Sequence, residues 1–111
     1  MTPHDLAAWA ERAKPDEQRA VLDAAWRMLR GDEYTRTGVN KYYDFTAMLD
    51  AEAWESAALM LVPEGYSHWN VGGRYQDYGA QVVVGIQEYF GQASTPALAL
   101  IAAIARVQIP T

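Results

Sequence analysis

The chain contains no cysteine. That one absence removes disulfide staples, thiolate metal sites and thiol nucleophiles together, and it is compatible with a cytoplasmic address. Histidine is scarce too. His4 and His68 are the only two, and neither stands in a His-x-x-x-His or histidine–carboxylate spacing, so zinc chemistry is not expected. Basic residues number nine against fourteen acidic ones, for a formal net charge of −5. Broad nucleic-acid binding by phosphate neutralisation needs a basic footprint that this balance lacks, although a small basic pocket for one nucleotide remains compatible with it. No apolar run approaches the ~20 residues of a spanning helix; the longest, Pro96 to Ala105, falls far short. Met1-Thr2-Pro3-His4-Asp5 lacks the basic-then-apolar order of a secretory signal. A soluble cytoplasmic protein with no membrane partner is expected.

What is present is apolar and aromatic. Of the 111 residues, 50% are hydrophobic and 12% aromatic, which excludes wholesale disorder and suits a single core. Residues 1–111 are expected to form one domain, with 1–31 as a helical arm at its start. Thr2 as N-cap, Pro3 at the first helical position and Asp5 in the first turn open a helix. Pro15 interrupts it, and Asp16-Glu17 begin a second helix whose stripe is Val21, Leu22, Ala25, Trp26 and Leu29. Gly31 stops that helix. Residues 31 to 44 carry no apolar periodicity and read as a loop. Thr46 caps a central helix running to about Leu61, which Pro63 and Gly65 terminate.

Tyr66 to Val71 reads as a strand, with Ser67, Trp69 and Val71 on one side and His68 on the other. Gly72-Gly73 supplies a turn with positive φ. Ala80 to Ile86 is a second strand, and Gln87 to Ala93 a third, broken near Gly85 and Gly91. Thr95 and Pro96 then start an Ala-rich helix. The fold class expected is α+β: a helical hairpin, a central helix, a three-stranded antiparallel β-meander and a C-terminal helix. Trp9, Trp26, Trp54 and Trp69 are expected in the core or at a subunit interface.

Two segments carry a resemblance. Leu61-Val62-Pro63-Glu64-Gly65-Tyr66 followed by Trp69, and Thr95-Pro96-Ala97-Leu98-Ala99-Leu100 before an Ala-rich end, resemble the phage αβα-sandwich domain family of small phage and prophage proteins. Ala20-Val21-Leu22-Asp23-Ala24-Ala25-Trp26 is similar to that family's N-terminal helix. The chain departs from the pattern where Ala53-Trp54-Glu55 extends the helix before Pro63, and where Tyr66 occupies an aromatic position often held by tryptophan. The resemblance implies an αβα sandwich, phage origin and residence in the host cytoplasm. It implies no activity.

The candidate chemistry is sparse. His68 offers an imidazole that titrates near neutrality, with a solvated strand histidine as the plainer reading. Asp32-Glu33 lacks the alternating oxygen ligands of a calcium loop, so no metal or cofactor is expected. Gly72-Gly73-Arg74 matches neither phosphate-binding glycine motif and reads better as a hairpin turn. The aromatic and basic set is more suggestive. Arg36, Lys41, Tyr42 and Tyr43 share one loop, and Tyr66, His68, Arg74, Tyr75 and Tyr78 lie in or beside the hairpin. Tyrosine gives a stacking face and a hydroxyl, arginine a forked phosphate donor, and the helix start at Thr95-Pro96 free amides. Such groups hold a nucleotide without reacting with it. The plainer reading is equally concrete: tyrosines fill sheet faces, and Thr-Pro caps helices.

The function expected from these residues and the resemblance is non-catalytic. A phage counter-defence sponge would sequester a nucleotide immune signal, with Lys41, Tyr42, Tyr43, Tyr66, His68, Arg74 and Thr95 in contact with it. The alternatives are a phage protein that blocks a host defence protein by direct contact, or a structural phage protein without ligand; a nucleotide-degrading enzyme using His68 ranks behind them. Because a three-stranded sheet leaves edges exposed, a homo-oligomer is expected.

Overall fold

The computed structural model describes residues 1–30, 38–71 and 78–109. Helix α1 (Pro3–Arg12) starts as its capping residues dictate. The Thr2 hydroxyl accepts the Asp5 N–H at 3.1 Å, and the Asp5 carboxylate accepts the Thr2 N–H at 3.1 Å, closing a capping box. The backbone bond from Thr2 holds the Asp5 carboxyl below its ordinary pKa. A 3₁₀ turn (Pro15–Glu17) follows, in which Glu17 accepts the Lys14 N–H and the Trp9 indole N–H. These two bonds likewise lower the Glu17 pKa. Helix α2 (Gln18–Arg30) buries Val21, Leu22, Ala25 and Trp26 of the expected stripe, with its last member, Leu29, half-buried. Its expected stop, Gly31, lies outside the described residues.

The middle of the chain departs from expectation. Residues 38–44 are not loop but the first half of helix α3 (Gly38–Asp50), and Thr46 sits inside it, donating its hydroxyl to the Tyr43 carbonyl. The expected single helix to Leu61 is divided into α3 and α4 (Trp54–Leu59). The division is a Schellman stop: Ala53 N–H donates to Met48 C=O, Glu52 N–H to Leu49 C=O, and Glu52 stands at φ 58°. That position normally takes glycine, and glutamate there hid the break.

Strands β1 (Ser67–Val71), β2 (Tyr78–Val84) and β3 (Gln87–Ala93) form an antiparallel meander in the order β1-β2-β3. β2 starts two residues before Ala80 and ends before the two-residue turn at Gly85 and Ile86, where Gly85 has φ +63°. The Gly72-Gly73 turn lies outside the described residues. β3 is unbroken at Gly91, and the reason for glycine there is close approach. A Cβ on Gly91 would stand 2.1 Å from the Ala99 carbonyl oxygen and 2.7 Å from the Ala103 nitrogen. Helix α5 (Pro96–Val107) is therefore pressed directly onto β3, and its alanines make that possible. Thr95 caps it through the Leu98 N–H, with Pro96 in the first turn, as expected.

The architecture is α+β, with α5 and α1 packed on one face of the sheet. Helices precede and follow the sheet in the chain, yet among the described residues none lies over its other face. Leu6, Leu22, Val21, Trp26, Phe45, Leu61, Val82, Leu98, Ile101 and Ile104 make one core to which α4 adds the buried Ala57 and Ala58. Trp26 stacks on Phe45 at 4.7 Å between ring centroids and meets Tyr42 at 5.7 Å, while its buried indole N–H has no hydrogen-bond partner among the described residues. Trp9 and Trp54 are half-buried against the core, and the side chain of Trp69 lies outside the described residues. No helix among the described residues is long and apolar enough to cross a membrane.

Candidate ligand groove and sheet edges

The seven residues expected to touch a ligand do not converge. Lys41 and Tyr43 are exposed on α3, with Tyr43 65% accessible. Tyr42, on the same helix, turns inward toward Trp26 and lines an open cleft of about 450 Å³ against Asp16 of the 3₁₀ turn and Arg19 and Asp23 of α2. Arg19 in this cleft is already engaged by Asp50 at 2.7 Å. Tyr66 is half-buried against the core. Arg74 lies outside the described residues, as do Arg36, Tyr75 and the Asp32-Glu33 pair.

His68 and Thr95 line two adjoining hollows. An open groove of about 370 Å³ lies between Glu52–Ser56, at the start of α4, and the Thr95–Ala97 start of α5, with Gln18 at its floor. A smaller hollow of about 100 Å³ adjoins it, shares Glu55, Pro96 and Ala97, and ends on Leu59, Leu100 and the exposed His68. Trp54 and Glu55 enter the groove because the Schellman stop redirects the chain just before them. Sequence reading placed Trp54 in the core or at a subunit interface, and the expected continuous helix gave no reason to bring it or Glu55 beside the start of α5.

The electrostatics of this groove oppose a phosphate. Glu52 and Glu55 border it, and no lysine or arginine lines it among the described residues. The helix start is also largely spent. Pro96 has no N–H, the Thr95 hydroxyl accepts the Leu98 N–H and donates to Gln18 Oε1 at 2.8 Å, and the Thr95 carbonyl accepts the Ala99 N–H. The Ala97 N–H is what the first turn has left. Gln18, 6% exposed, also donates to the Pro15 carbonyl, so the floor is braced on both sides.

A second constellation was not foreseen because its members are 95 residues apart. Arg106, near the end of α5, forms a two-pronged ion pair with Glu11 of α1. Arg106 Nη1 also donates to the Phe90 carbonyl at 2.6 Å, and Glu11 Oε2 accepts the Gln92 N–H at 3.1 Å. The Arg106 guanidinium holds the Glu11 carboxyl below its ordinary pKa, and Glu11 in turn raises that of Arg106. The pair occupies the outer edge of β3. On the uncovered face of the sheet Phe90 is 54% exposed, and Ile86 at the hairpin tip is 94% exposed. Among the described residues, no group of three or more histidines and carboxylates stands close enough to hold a metal. No protein-family model, curated protein or solved structure matches this chain.

Proposed function

We propose that this chain is a non-catalytic binding protein of phage or prophage origin that sequesters a nucleotide signal, and that the groove between α4, α5 and β1 takes the nucleoside part of that ligand. The observation that carries this reading is the half-buried Trp54 lining one groove with Glu55 and Thr95, beside an adjoining hollow lined by His68 and the same Glu55. An indole gives a stacking face, while carboxylates accept ribose hydroxyls and base N–H groups. Glu52 and Glu55 disfavour a phosphate beside them, so the groove is assigned the nucleoside part alone. This narrows the role first expected of Thr95 from phosphate contact to groove architecture. Phage origin and counter-defence rest on the sequence resemblance.

The test is native mass spectrometry on protein purified from cells with an active nucleotide-signalling defence, compared with Trp54→Ala. The expected result is a released nucleotide mass on the unaltered chain and a loss of about tenfold or more in retained ligand for the variant, since base–aromatic stacking contributes about 1–3 kcal/mol. Ligand-free protein from those cells would sink the reading. One observation favours a second reading: the uncovered sheet face with Phe90, and Ile86 beside it, suits direct contact with a host defence protein.

A further inference from the structure

The two edges of the sheet are treated differently, and the difference fixes which edge is open to a partner. In an antiparallel strand the N–H and C=O of one residue point to the same side, and successive residues alternate. Phe90 C=O and Gln92 N–H are held by Arg106 and Glu11, so Phe90 and Gln92 point away from β2. Phe90 pairs with Gln81, and Gln81 pairs with Trp69. Carrying the alternation across the sheet, Gln81 points to β1 and Trp69 back to β2. His68 and Asn70 therefore present their N–H and C=O groups outward. Among the described residues nothing bonds to them there.

Natural edge strands carry charges, prolines or covering groups that deter pairing. β3 has Glu88 and the Glu11–Arg106 plug; β1, Ser67-His68-Trp69-Asn70-Val71, has no acidic residue, lysine, arginine or proline and, among the described residues, no such plug. We infer that β1 is the dimer edge of this protein, pairing antiparallel with β1 of a second copy about a twofold axis at Trp69. In that register His68 of each copy faces Asn70 of the other, and all four outward groups on each strand are satisfied by four hydrogen bonds across the axis. Shifting the axis to His68 or Asn70 would leave some of these groups unmatched. The second copy is the occupant that the strand itself fits, because the twofold register matches each outward N–H of His68 and Asn70 with a C=O of the same strand in the other copy. The chain carries −5 overall, yet the facing strands bring no charged residue opposite another.

The plug on β3 ends the assembly at two chains, giving a closed six-stranded sheet rather than a filament. His68 also lines the hollow beside Glu55 and Leu59, so each groove lies at the subunit boundary, with Asn70 of the second copy beside it. This inference holds whatever the groove binds.

Analytical ultracentrifugation of the full chain over a wide dilution series tests it, beside Asn70→Pro and Gln92→Pro. Proline removes one edge N–H, and an edge strand tolerates it. The unaltered protein and Gln92→Pro are expected to be dimers that dissociate on dilution, and Asn70→Pro a folded monomer by circular dichroism. A monomer at every concentration, a dimer that survives Asn70→Pro, or one lost in a folded Gln92→Pro would each overturn the inference. Should Asn70→Pro fail to fold, hydrogen exchange on the unaltered protein decides. His68 and Asn70 amides are expected to be slow in concentrated solution and fast when diluted; fast exchange at both would overturn it.

Discussion

Helices α5 and α3 are nearly equal in length, 12 and 13 residues, and differ in almost everything else. α5 buries every residue from Ala97 to Ala105 and lies against β3, β2 and α1. α3 anchors itself through Phe45 and Leu49, both buried, with Lys41, Tyr43, Asp44, Ala47 and Asp50 exposed. One is a structural axle; the other is held by Phe45 and Leu49, by the half-buried Tyr42 and Met48, and by an exposed ion pair from Asp50 to Arg19, which contributes little. The contrast shows that helix length says nothing about how much of a fold depends on a helix. Contact with the sheet decides it.

The largest expected effect tests the tightest point of that contact. Gly91→Ala places a methyl group 2.1 Å from a backbone carbonyl of α5, which cannot move aside as a flexible side chain would. Overpacking of this kind costs about 3 kcal/mol, and urea unfolding is expected to show that loss. A near-neutral result would mean that α5 slides freely on the sheet, and its place as the axle would be lost.

Phe45→Ala tests the other helix. Truncating a buried phenylalanine ordinarily costs about 3–5 kcal/mol. Here α3 is able to come away while the α5 core survives, so the loss is limited by the free energy of that local opening, about 2 kcal/mol. Native-state hydrogen exchange is expected to show faster exchange in α3 amides and little change in α5. Equal acceleration in both helices would make α3 part of the same cooperative unit.

The same contrast explains what could be read from the residues. α5 was legible because three signals agreed: the Thr95 cap, Pro96 in the first turn and an apolar run too long for a strand of this size. Thr2 and Asp5 announced α1 in the same way. The first half of α3 was illegible because Asn40, Tyr42, Tyr43 and Asp44 are all modest helix formers; only its second half, from Thr46 on, reads as helix. The groove was half legible. Thr95 and His68 were singled out, but Trp54 and Glu55 join them only through the break between α3 and α4. The Glu11–Arg106 plug was beyond sequence reading, because its parts meet only once α1, β3 and α5 are packed.

That break allows the mildest test. Glu52 holds the left-handed C′ place of the Schellman stop at φ 58°, where a side chain's Cβ crowds the backbone and glycine does not. Two effects oppose each other in Glu52→Gly. Relief of the left-handed strain favours the variant by about 1 kcal/mol, while the added freedom of glycine in the unfolded chain returns part of it. The strain is the larger, because the two Schellman bonds from Glu52 and Ala53 already fix the backbone in the folded state. A net gain of about 0.5 kcal/mol is expected by urea unfolding, with slower amide exchange at the end of α3. A loss would mean that the Glu52 side chain itself, at the lip of the groove, supports α4, and that this border is built for more than turning the chain.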